Sequence, residues 1–142
     1  MSHEYTNDTR DLLEDFEVSG VLNDEKKVLS FCCACCRLIW DELPKIAQEA
    51  LKISEKYIKN AASVQGLINV RVQLWKNLGS DYMNLTSPNV AAIRAVICCL
   101  YEIKTMDEAF TTAAYAMSFC NTVKNKDAEQ YQLLLKIFGD KK

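Results

Sequence analysis

A chain of 142 residues with 49% apolar and 25% charged residues has the size and balance of one globular domain, which excludes a disordered polyelectrolyte. A net charge of −2 and a pI near 5.5 argue against a general nucleic-acid binder, which carries a basic surplus. No run approaches the ~18 uninterrupted apolar residues of a membrane span, and Asp8, Asp11, Glu14 and Asp15 stand where a leader peptide needs an apolar stretch.

With only four Gly and two Pro there are few chain breakers, so the elements should be long, and their period is helical. Residues 1–7 are expected to be disordered. A first helix over 8–18 uses Leu12, Leu13 and Phe16 and stops near Gly20. The second opens at Asn23 or Asp24, both good caps, and runs to about Leu43 before Pro44. Its apolar arc is broad, from Val28, Phe31 and Ile39 to the cysteines and Trp40, with Lys26, Lys27, Ser30, Arg37 and Asp41 opposite. An arc that wide belongs to a helix covered by at least two neighbours. The third, over 44–61, has the cleanest amphipathic stripe: Ile46, Ala47, Ala50, Ile53, Tyr57, Ile58 and Ala61. Only a proline separates it from the second, so the two should form an antiparallel hairpin.

The fourth helix spans 63–78, capped by Ser63 and stopped by Gly79. Residues 79–87 form the longest turn-rich stretch, a surface loop that carries Tyr82 and Met83 as an exposed contact patch. The fifth helix, 88–104, is apolar nearly all round and should be central. The sixth, 107–123, opens at Thr105 or Asp107, and its Ala residues permit close approach. The last, 127–138, docks through Tyr131, Leu134, Leu135 and Phe138 and leaves 139–142 as a tail. The expected fold is all-α: an irregular orthogonal bundle or stacked helical hairpins of six or seven helices in a single domain. The second and fifth helices each carry a Cys-Cys pair ahead of an Ala-rich helix, which raises the question of a duplicated hairpin.

The segment Phe31-Cys32-Cys33-Ala34-Cys35-Cys36-Arg37-Leu38-Ile39-Trp40 resembles a helix of an uncharacterised bacterial protein family abundant in planctomycetes, typically LRLFACACCRRIW. Leu134-Leu135-Lys136-Ile137-Phe138-Gly139-Asp140 resembles the same family's LLRxIFGNPF segment, without the Asn-Pro-Phe continuation. The likeness covers residues 12–139. It implies a shared helical architecture and a bacterial source, and it implies no activity. Relatives extend further, and a function residing in that extension would not be carried by these residues.

Three chemistries can be weighed. In the cytoplasm, where this chain is expected, stable disulfides are disfavoured, and the seven cysteines are odd in number. They read as small apolar packing residues on the inward arc. The alternative is a metal or redox site on Cys32, Cys33 and Cys36, one helical turn apart, with further ligands from Cys98, Cys99 or Cys120. Hydrolytic catalysis has little to use, because His3 is the lone histidine and there is no phosphate-loop or zinc-protease motif. Arg71 and Arg94 fall on core faces by helical phase, so each must reach solvent, pair with a carboxylate such as Glu102, or meet an anionic ligand or partner. Trp40, Trp75 and Tyr101 read as core aromatics. The sum points to a non-enzymatic protein-interaction module of adaptor or inhibitor type that needs no cofactor and has another protein as partner, with no nucleic acid and no membrane. An anion or small-ligand domain built on the two arginines is a further alternative.

Overall fold

The computed structural model describes residues 6–139, and among them the chain forms seven α-helices and no strand. The helices are α1 (Asn7–Val18), α2 (Glu25–Arg37), α3 (Lys45–Ile58), α4 (Val64–Leu78), α5 (Pro88–Cys98), α6 (Met106–Val123) and α7 (Asp127–Phe138). None is long and apolar enough to cross a membrane. Residues 1–5 and 140–142, including His3, lie outside the described residues. Thr6 and Asn7, expected to be disordered, are placed: Thr6 caps α1 and binds the Asp127 carboxylate through both its N–H and its hydroxyl.

Side-chain caps set most of the helix starts by accepting the free N–H groups of a first turn. Asp24 accepts from Lys26 and Lys27, Ser63 from Gly66, Ser87 from Val90, and Thr105 from Glu108. Gly79 ends α4 at φ 54°, a conformation that only glycine enters cheaply.

Helix α2 lies at the centre and packs on α3, α5, α6 and α7. Val28, Leu29, Phe31, Cys32, Cys33, Cys35 and Cys36 are all buried, as the wide apolar arc requires. Against α3 the pairs Lys26–Asn60, Cys33–Ser54 and Trp40–Gln48 run in opposite directions, so the expected antiparallel hairpin forms. The most intimate packing is α5 on α6. Ala91, Ala92 and Ala95 on one helix and Ala109, Ala113 and Ala116 on the other are fully buried.

Two helices end earlier than their apolar patterns suggest. α2 stops at Arg37, not Leu43, and the chain turns through a 3-10 segment at Trp40–Glu42. Pro44 excludes Leu43 from helical backbone, so the reversal has to be completed before it; Leu43 is extended, with ψ 133°. α5 stops at Cys98, not residue 104. There the Arg71 guanidinium takes the Leu100 carbonyl, and the Glu25 carboxylate takes the Ile103 N–H, so the backbone groups that leave the helix are paired by side chains. On α7, Leu135 is exposed and the polar Gln130 is buried in its place. Gln130 accepts from Asn121 and donates to the Met117 carbonyl, which ties α7 to α6.

Candidate functional site

The cysteines sort by the direction in which they point. Cys33 donates to Ser54 Oγ, which itself donates to the Cys99 carbonyl. Cys36 Sγ lies 3.7 Å from Cys99 Sγ, joining α2 to the C-terminal end of α5. All seven are free thiols, and all but Cys98 are buried. Burial pushes the Cys32 and Cys35 thiols well up, and it raises Cys98 to about 12. S–H donation from Cys120 and Cys99 favours the Cys36 thiolate, against its burial. Among the described residues no group of three or more His, Cys, Asp or Glu is arranged to hold a metal ion. Six of the thiols, Cys36 among them, are closed off by burial, and Cys98 is held protonated, so a thiol reagent at neutral pH should react slowly with the native protein and count seven thiols after denaturation. A rapid native reaction, or fewer than seven, would contradict inert packing.

The arginines lead to a different surface. Arg71 does not reach Glu102: its guanidinium stacks 4.1 Å from the Tyr101 ring while binding the Leu100 carbonyl. Arg94 is held 5.2 Å from the Trp75 ring and 5.0 Å from the Phe119 ring, and it donates to the Tyr82 carbonyl at 2.9 Å. Among the described residues neither arginine forms an ion pair. Trp75 Nε1 donates to the Tyr101 hydroxyl, Trp75 meets Tyr82 edge-on, and Tyr115 stacks on Phe119 at 6.0 Å. Five rings and two guanidiniums thus form one continuous network drawn from α4, α5, α6, the α5–α6 connection and the 79–87 loop.

Five members of this network, Trp75, Arg94, Tyr101, Tyr115 and Phe119, wall a groove of about 700 Å³ between α5 and α6, within the usual range of binding cavities. Arg94, Ile97 and Cys98 from α5 line one side, and Thr111, Thr112 and Tyr115 from α6 line the other. Glu102, Lys104, Asp107 and Glu108 surround the end nearest the α5–α6 connection. A smaller cavity beside it holds Arg71 and shares Tyr101, Glu102 and Lys104.

Three of the four surface candidates, Arg71, Arg94 and Tyr82, therefore meet in one network. Met83 is the neighbour of Tyr82 and is 60% exposed. Of the three expected core aromatics, Trp40 and Trp75 pack against the core from its edge, and the expectation is corrected for Tyr101. Tyr101 is exposed, and the two tryptophans are half-buried beneath arginines, Trp40 with Arg37 at 4.1 Å. Guanidinium stacking covers a ring without removing it from the surface. Tyr115 and Phe119 were missed by sequence reasoning. Their signal was a second stripe on α6, Thr111–Thr112–Tyr115–Phe119, beside the buried Ala109–Ala113–Ala116–Cys120 stripe.

Elsewhere, Tyr57 donates to Glu25, and burial followed by that bond raises the phenol to about 12. The native state keeps this proton above the ordinary phenol value of about 10, so its contribution to stability is complete below pH ~10 and is lost as pH rises toward 12. Denaturation midpoints measured from pH 9 to 11.5 should fall less steeply for Tyr57→Phe than for the wild type; identical slopes would refute the assignment.

Comparison with protein families, curated proteins and solved structures finds no match to this chain. What the fold and the site define is a class: a small all-α bundle with a thiol-rich interior and an aromatic, arginine-lined groove on its surface.

Proposed function

We propose that this chain is a non-catalytic protein-interaction module that engages its partner through the α5–α6 groove. One observation carries the reading: the linked rings of Trp75, Tyr82, Tyr101, Tyr115 and Phe119 lie with Arg71 and Arg94 on one face. Trp, Tyr and Arg are the residues that concentrate binding energy at interfaces. Tyr115 is 57% exposed, Tyr82 46% and Tyr101 39%, so three aromatic side chains of the network are open to solvent. Kinship with the planctomycete-rich family is part of the same proposal and rests on the cysteine-rich helix and the 134–140 segment.

The test is a photo-crosslinking amino acid at position 115, compared with one at Glu49, an exposed α3 position that does not line the groove. The native host lysate should yield one stoichiometric adduct from position 115 and none from position 49. Equal adducts at both positions, or none at 115, would refute the reading.

A further inference from the structure

We infer that the groove receives an extended segment of the partner chain, about five residues long, that carries a carboxylate at one end and a basic residue at the other. The inference rests on the interaction reading above and assigns the chemistry of what is bound.

The groove is electrically polar along its length. Helices α5 and α6 are joined by residues 99–105, so the connection defines one end. Glu102, Asp107 and Glu108 gather there. Lys104 offsets one of these carboxylates, and Arg71 lies behind the Tyr101 ring, on the side of the neighbouring cavity. The Glu108 carboxylate accepts from the Lys104 backbone N–H. At the far end Arg94 sits beside Phe119. Of its several N–H donors, one is spent on the Tyr82 carbonyl, and no carboxylate of the described residues pairs with it. Glu108 and Phe119 are eleven residues apart on one helix, which sets the two ends about 16 Å apart. An extended chain covers that in about five residues at ~3.3 Å each.

Between the ends, Thr111 and Thr112 offer hydroxyls to a backbone, while Tyr115 and Ile97 offer apolar wall. A carboxylate fits the fork of Arg94 with both oxygens, which a purely apolar occupant would leave unused. A basic side chain at the other end meets the carboxylates and the Tyr101 face.

Selection from a phage library of random dodecapeptides on the immobilised full chain tests this. Enriched clones should share an acidic and a basic residue about four positions apart with apolar residues between. Selection on Arg94→Glu should replace the acidic position by a basic one. Selection on Glu102→Lys, a change at an exposed loop residue whose side chain makes no hydrogen bond among the described residues, should erase the basic preference even if the first variant folds poorly. Each consensus peptide should bind the charge-mismatched variant about tenfold more weakly in fluorescence anisotropy. No enrichment, or a consensus that neither variant alters, would overturn the inference. A specific adduct from position 115 alongside that result would leave the interaction reading standing and remove only this one.

Discussion

Replacing Phe31 with Ala is expected to destabilise the fold by about 3–5 kcal/mol, the usual cost of emptying a large buried aromatic site. Phe31 is wholly buried on α2, and its ring lies 6.1 Å from Phe138, which in turn meets Phe16 at 5.8 Å. The deletion therefore opens a void where α1, α2 and α7 converge, and none of the three can close it without losing contacts with the others. Domains of this size are stable by ~5–15 kcal/mol, so the loss is a large part of the whole. The melting temperature should fall by about 10 °C or more. Val18→Ala, at a position 87% exposed, is the control and should stay within ~0.5 kcal/mol. Similar losses in the two variants would mean that the α1–α2–α7 junction is not part of the core.

Tyr115→Ala should show the opposite pattern. The side chain is more than half exposed and contributes one stacked contact, to Phe119, so melting should barely change. Partner affinity should fall by at least about 2 kcal/mol, roughly thirtyfold, if Tyr115 anchors the interface. Calorimetric titration with the partner captured through position 115 measures the affinity, and thermal denaturation measures the stability. A variant that binds as tightly as the wild type would remove the groove from the interface.

The interior was readable from the sequence because it obeys one period. The α2 cysteines lie on the same arc as Val28 and Phe31, and all of them are buried. On α3 the stripe was found but slightly rotated: Leu51 and Ser54 are buried, while Ile46, Ile53 and Ile58 are half-buried. A period gives the direction of a face, and its exact centre is set by the neighbouring helices.

The site was less readable because its parts come from separate elements. Phase placed Arg71 and Arg94 on apolar faces, and that much was correct. It could not show that Arg94 would take the Tyr82 carbonyl, twelve residues away, in preference to Glu102. Nor could it place Trp75 at the core's edge and Tyr101 outside it, since a ring shielded by a guanidinium looks as apolar in sequence as one beneath a helix. The early ends of α2 and α5 had local causes, Pro44 in one case and side-chain capping by Arg71 and Glu25 in the other. Only the proline was visible in the sequence.

Hydrogen–deuterium exchange of the isolated chain and of its partner complex tests the functional face most directly. Protection is expected along α6 from Asp107 to Phe119, over residues 99–105 and over the 79–87 loop, with α3 and α7 unchanged. Protection confined to α3 or α7, with exchange along the groove unaltered, would contradict the assignment of this surface.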